Sequence, residues 1–436
     1  MKSTKLLGLA AVLLLSTIGI AGLRAQDLKF DGYVNSGLGV VSTDIEDSDT
    51  VVKAFGVDSQ QNGYRLQLNG AYQNEAGNAG ARLRFQSQAT LAYGYFSLPY
   101  AYGWVKFAND IFYAAGGIVN DGTWATADWW LTGDRIDWGL GALLKATPVK
   151  GLDLGFGAYV LNVQAGGNNQ ILGDGKINFA NVRPKIGDVK YTYSGAYTLP
   201  DVFRLSATFR WKNKAGYDNA GYDFTANKVK DGYQGRDESG RLIGDFRYLG
   251  VKNLTAVAAA SFDKLEDFDN SGNIILSETF AYKLESLNFG LNATQFLYNR
   301  GPDVETDPGL LFNLWGSYAF GAIVPRLDVA YFLGGQSSLG GNGNNTWGRT
   351  ATGFASFASK PGAADADDDY AVFNIRPSVK LNLNNRTFVE IGDSINIDSA
   401  NFDGYRKDGK AVAAGSPGDT KSRLSNVFYV DLKWSF

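Results

Sequence analysis

Arg82 and Arg84 lie two residues apart, separated by Leu83 and followed by Phe85. A spacing of two is the strand period, so both guanidiniums leave the backbone on one side and both apolar groups on the other. Phe203, Leu205, Ala207, Phe209 and Trp211 alternate in the same way with Arg204, Ser206, Thr208, Arg210 and Lys212. Arg65, Lys190, Arg247, Arg376, Lys380 and Lys433 fall on the polar side of comparable segments, against three acids, Asp153, Asp245 and Asp431. A guanidinium is permanently charged and presents a fixed fork of donors. Rows of such groups break no bonds; they attract and orient anions.

Bond-making chemistry lacks its usual parts. The 436 residues include no His and no Cys. That excludes Ser-His-Asp and Cys-His nucleophile sites, HExxH zinc sites, imidazole-held haem, disulfides and Fe–S clusters. No enzyme and no cofactor are expected. One segment has metal-ligand spacing: Asp267, Asp269, Ser271, Gly272 and Glu278 follow the order of a calcium loop. Strand patterns flank it where an EF-hand needs helices, and Asp-Asn-Ser-Gly-Asn is ordinary turn chemistry. It reads as a solvated turn, with no metal assigned. The acids Asp365, Asp367, Asp368 and Asp369 read as a solvated loop, and Gly340-Gly341-Asn-Gly as a loop, not a phosphate cradle. No basic stripe suits nucleic acid.

The elements that carry these residues are strands. Tyr64, Leu66, Leu68, Gly70 and Tyr72 alternate with Arg65, Gln67, Asn69 and Ala71, and segments of this kind recur to the end of the chain. Short turns fall near 75–77, 108–110, 147–151, 199–201, 250–253, 284–286, 321–325 and 382–386. Longer polar stretches fall near 43–61, 119–134, 165–186, 214–238, 264–272, 300–308, 335–368 and 398–422, with one ambiguous tip near 91–97. Short and long connections therefore alternate. The expected fold is all-β, a transmembrane antiparallel β-barrel of 18 strands, with 16 as the alternative. Pro377 falls inside a strand, where its missing N–H predicts a bulge or local distortion.

Composition agrees. Phe, Trp and Tyr make up 14% of the chain, Gly accounts for 54 residues, Pro for only 10, and charged residues for 19%. Tyr100, Tyr102 and Trp104, then Tyr191, Tyr193 and Tyr197, then Trp434 and Phe436, gather near strand ends and suit interfacial girdles. Residues 1–25, with Lys2 and Lys5 ahead of an apolar run, read as a signal peptide cleaved near Ala25, leaving 26–436 as the barrel. The alternative is a retained anchor.

The last segment places Phe428, Val430, Leu432, Trp434 and Phe436 in alternation with Tyr429, Asp431, Lys433 and Ser435. It resembles the closing strand of Gram-negative outer-membrane proteins, which the barrel-assembly machinery reads. The chain as a whole resembles porins of the general and substrate-selective kind. That resemblance implies an outer-membrane location, lipid around the barrel, small hydrophilic solutes and ions inside it, and a homotrimer. It also implies that the connection after the fifth strand folds inward, so that Asp121, Asp128 and Asp134, with Trp129 and Trp130, face Arg65, Arg82 and Arg84 across a constriction. The alternatives are a connection that stays outside and an aromatic path for sugars. Passive diffusion is the first functional expectation; a substrate-selective transporter or a surface adhesin or receptor barrel are the others.

Overall fold

The structure is a computed structural model that describes residues 28–45, 51–58, 61–62, 64–89, 94–120, 138–160, 189–212, 222–223, 228–229, 238–299, 309–334, 370–398 and 423–436. In chain order its strands are β1 (Leu28–Ile45), β2 (Val51–Asp58), β3 (Gln61–Asn62), β4 (Tyr64–Gln73), β5 (Ala79–Ala89), β6 (Gly94–Phe107), β7 (Phe112–Asn120), β8 (Trp138–Val149), β9 (Leu152–Val160), β10 (Val189–Leu199), β11 (Phe203–Lys212), β12 (Tyr222–Asp223), β13 (Lys228–Val229), β14 (Ser239–Tyr248), β15 (Leu254–Asp263), β16 (Asn273–Leu284), β17 (Leu287–Asn299), β18 (Gly309–Tyr318), β19 (Ile323–Gly334), β20 (Tyr370–Asn382), β21 (Thr387–Asp398) and β22 (Arg423–Ser435). β12 and β13 form a separate small hairpin. β1, β4 to β11 and β14 to β22 each pair antiparallel with the next, and β22 returns to β1 from Tyr33↔Ser435 to Ile45↔Arg423. The result is a closed barrel of 18 strands, as the sequence pattern predicts.

Eight tight turns lie at one end, together with the start of β1 and the end of β22. Their geometry follows from residue type. Asn109, Asp110, Asp201 and Asn253 take positive φ, a region that short polar side chains tolerate, and so do Gly77, Gly151 and Gly321. The opposite end carries the longer connections. Of these, 264–272 is described and holds a 3-10 turn over Leu265–Asp267 followed by an α-helical turn over Phe268–Ser271.

Each strand of the barrel shows two faces. Leu66, Leu83, Phe85, Leu205, Phe246, Leu314, Leu327 and Phe428 are exposed. Gln67, Ser206, Asp245, Asn313, Asp328 and Tyr429, on the other face, are buried. The wall is one sheet thick, so the apolar side chains coat the outside and the polar ones line the inside. This is the reverse of a water-soluble barrel and leaves an outer surface whose natural solvent is hydrocarbon.

One stretch departs from the sequence reading. The stretch 43–61, expected as a polar loop, contributes the end of β1 and all of β2, because Val51-Val-Lys-Ala-Phe-Gly-Val57 carries enough β-formers to add a strand. β1 pairs with β4 from Leu28 to Asn35 and with β2 from Gly37 to Thr43. At Pro377 the ladder to β21 skips from Ile375↔Ile395 to Ser378↔Gly392 without a change of register, the local distortion that a missing N–H predicts. Register shifts occur beside two other prolines, Pro99, between Arg84↔Tyr100 and Gln86↔Ser97, and Pro148, between Ala146 and Val149, and also at Ile274/Ile275 of β16, where no proline stands. A proline cannot donate to the ladder, and the strand slips to bypass it.

Candidate functional site: the inner wall

The inner wall is built from alternate residues of adjoining strands, so register decides which charges meet. On β11 and β14, Arg204 lies opposite Arg247, Ser206 opposite Asp245, and Arg210 opposite Arg241. Ser206 donates a hydrogen bond to Asp245. Arg241 Nε lies 2.6 Å from Asp263 Oδ1 and donates to Ser261 Oγ at 3.0 Å. The Nε atoms of Arg204 and Arg247 have no hydrogen-bond partner among the described residues although both are buried from the outside. Unpartnered buried donors are costly, so these N–H groups call for water or an anion.

A second cluster crosses β18 to β22. Asp328 is 0% exposed and receives two 2.7 Å hydrogen bonds from Arg326, at Nε and Nη2, while Arg376 Nη2 lies 3.3 Å from its Oδ2. Arg326 also stacks on the Trp315 ring, 4.5 Å from its centroid. Next along the wall, Tyr429 donates to Glu390 at 2.7 Å. Arg376 was expected from the sequence; Arg326, Asp328, Asp263 and Glu390 were not. Their parity was readable, since Asp328 follows outward-facing Leu327 and Glu390 precedes outward-facing Ile391. Asp153, Asp245 and Asp431 are therefore not the only inner acids, and the excess of positive charge is partly neutralised by pairing.

The third cluster holds the arginine pair. Arg84 donates from Nε to Asn69 Oδ1 at 2.8 Å, Asn69 donates to Asp31, and the Arg84 guanidinium sits 4.9 Å above the Tyr100 ring. Arg82 is exposed to the interior beside a cavity of about 320 Å³ near the short-turn end, lined by Lys29, Gln73, Asn74, Glu75 and Trp104 among others. Tyr100 and Tyr102 pair in register with Arg84 and Arg82, and Trp104 with Gly80. These three rings face inward, which corrects their assignment to an outer girdle. Crossing the shift at Pro99 puts them on the arginines' side. Tyr193, Tyr197 and Trp434 do lie on the outside, 50%, 44% and 48% exposed.

From β6 to β9 the inner wall carries an apolar patch. Trp104, Ala115, Val119, Leu143 and Tyr159 form one buried cluster, with Trp104 and Tyr113 stacked at 5.8 Å. Tyr159 is 0% exposed, and a Cβ on Gly157 would lie 2.4 Å from its ring. The glycine allows the ring to lie flat against the sheet.

Of the other expected site residues, Arg65 is placed by register opposite Asn35 and Gln88. Asp121, Asp128, Asp134, Trp129 and Trp130 lie outside the described residues, as do 1–25. Glu278 sits within β16, five residues beyond Asn273 and about 16 Å of strand away from the turn, and it faces outward. It cannot complete the calcium-like loop. Phe428, Val430, Leu432 and Trp434 all lie on the outer face, and Phe436 closes the seam: its N–H donates to Gly32 O at 3.0 Å and Gly32 N–H donates to its carbonyl at 3.2 Å.

No protein-family model matches the chain, and no curated protein does. Solved structures do resemble it. "Crystal Structure of Pseudomonas aeruginosa OccK11 (OpdR)" is 10% identical, with 93% of this chain and 96% of that one covered at a TM-score of 0.48. Pseudomonas putida OprB is 8% identical, with 93% and 94% covered at 0.48. The anion-selective porin from Comamonas acidovorans is 12% identical, with 94% and 99% covered at 0.42.

Proposed function

We propose that the protein is an outer-membrane porin, a water-filled channel through which small hydrophilic solutes and ions diffuse passively. The observation that carries this reading is the division of faces: a closed 18-strand wall with an apolar exterior and a charged, hydrogen-bonding interior. Barrels of 16–18 strands leave an aqueous bore. Inward-facing Arg204, Arg247, Asn313 and Thr208 each keep a buried polar atom that no described residue satisfies, which suits a hydrated bore. In this reading the outer face contacts outer-membrane lipid, residues 1–25 direct export and are removed, and the last strand is recognised by the barrel-assembly machinery. No catalytic role is assigned. The Val119 and Tyr159 side of the apolar patch adjoins the points where the chain leaves β7 and enters β8. The constriction expected of Asp121, Asp128, Asp134, Trp129 and Trp130 falls on residues outside those the structure describes.

Planar-bilayer recording tests the reading. The protein should form discrete open channels, and a barrel sealed to ions would overturn it in favour of a surface receptor. Replacing both Arg82→Ala and Arg84→Ala removes two cations from the hydrated wall. Under a tenfold salt gradient the reversal potential should move toward cation preference by about 10 mV or more; an unchanged value removes these arginines from selectivity.

A further inference from the structure

Two rungs of the sheet build the cavity of about 320 Å³ at the short-turn end. The upper rung runs Lys29–Ala71–Arg82 across β1, β4 and β5, and the lower runs Gln73–Gly80–Trp104 across β4, β5 and β6. Lys29 and Arg82 stand two strands apart, roughly 10 Å between their backbones. Ala71 between them carries only a methyl group, so the space above it stays open. Gly80 carries no side chain, and the Trp104 ring lies over it: a Cβ there would be 2.7 Å from Cζ2. The third side is the turn after β4. Asn74 Oδ1 accepts from the N–H groups of Asn78 at 3.0 Å and Ala79 at 3.1 Å, and Gly77 takes a φ of 70° with the Gln73 carboxamide against it. Glu75 therefore reaches the cavity from a fixed turn.

The cavity thus presents two cations, Lys29 and Arg82, and one anion, Glu75, all exposed. No ion pair joins them among the described residues. Two like charges facing one open space repel, and an anion between them relieves the repulsion. The Arg82 fork matches a carboxylate, and Lys29 offers a point charge to a second one. Glu75 is left to take a cation. Trp104, 8% exposed, supplies an apolar side. A cavity of this size suits a small solute.

We propose that this cavity binds a small amino dicarboxylate, an acidic α-amino acid, with one carboxylate on Arg82, the other on Lys29, the ammonium on Glu75 and the hydrocarbon chain along Trp104. The proposal rests on the porin reading above, which brings hydrophilic solutes into the barrel. Charge decides the class. A plain dicarboxylate matches both cations and leaves Glu75 facing a like charge. A neutral amino acid leaves one cation without a partner. An acidic amino acid meets all three groups.

Isothermal titration calorimetry of the refolded barrel in detergent tests the site with three probes: L-glutamate, glutarate, which lacks the ammonium, and L-glutamine, which lacks the second carboxylate. L-Glutamate should bind once per chain and at least tenfold tighter than either of the others. Glu75→Gln should bring glutarate within twofold of L-glutamate, and Lys29→Gln should do the same for L-glutamine. No binding of L-glutamate overturns the proposal, as do equal affinities for the three probes or preferences that survive the two substitutions. Single-channel recording of the unaltered protein in salt alone keeps the two readings apart: channels without binding reject the site alone, and binding without channels rejects the porin reading alone.

Discussion

Deleting Phe436 should reduce folded barrel in the outer membrane at least tenfold in cells while leaving refolding from urea into detergent largely intact. The magnitudes separate two roles for this residue. Its structural part is small: two backbone hydrogen bonds with Gly32 and a ring against that glycine, next to Trp434 at 5.1 Å between centroids. Each hydrogen bond contributes about 1 kcal/mol and a partly buried ring about 2 kcal/mol. A loss of about 4 kcal/mol weakens the lowest rung of a seam that continues through β1 and β22 up to Ile45↔Arg423. It does not unzip the barrel. A large loss in cells with refolding preserved therefore assigns the residue to recognition during assembly. Equal failure in both assays assigns it to closure and overturns the recognition role. Gly32→Val is the complementary variant. Its new Cβ would lie 2.2 Å from the Gln67 backbone oxygen, so the seam itself must move and both assays should fail together.

Asp328→Asn should make the channel more anion-selective and less stable. Asp328 is fully buried between Arg326 and Arg376, and its removal as an anion leaves two guanidiniums in contact with a neutral amide. Breaking a buried pair by neutralising one partner costs about 3–5 kcal/mol. Arg326 is 36% exposed and can turn toward water, so a value near 3 kcal/mol is expected. The measurements are the midpoint of urea-induced unfolding in detergent and the reversal potential in a salt gradient. Arg326→Gln serves as the control, since it removes charge from the same cluster with the opposite electrostatic sign. If both variants move selectivity in one direction, the cluster acts through the shape of the wall, and its charge is irrelevant.

Period-two alternation made much of this legible. It located most of the strands, and the alternation of short and long connections pointed to eighteen of them, with sixteen as the alternative, and to both termini at one end. Parity also assigned Arg84, Arg204, Arg247 and Arg376 to one face. What it could not supply was register. Arg204 against Arg247, or Arg376 against Asp328, depends on how far each strand slides past its neighbour, and local sequence does not encode that slide. Tyr100, Tyr102 and Trp104 show the consequence: the residues on their own strand suggest a girdle, and the shift at Pro99 turns them inward. Glu278 groups by sequence with the turn at 264–272 because its spacing suits a calcium loop. A single acid in an apolar row looks like noise until neighbouring strands show that it is outside and unsatisfied.

The path of β1 bears on how such a wall can vary. Two residues along β1, from Asn35 to Gly37, correspond to eight along its partners, from Arg65 back to Val57. The extra length leaves the ring through β3 and re-enters it, so residues are gained without a gain in strands. Because the number of strands and their stagger govern the diameter of a barrel, one side of the rim can be raised while the bore stays the same. Height and width are thus separate variables in this fold, and β1 is where the chain adjusts the first without disturbing the second.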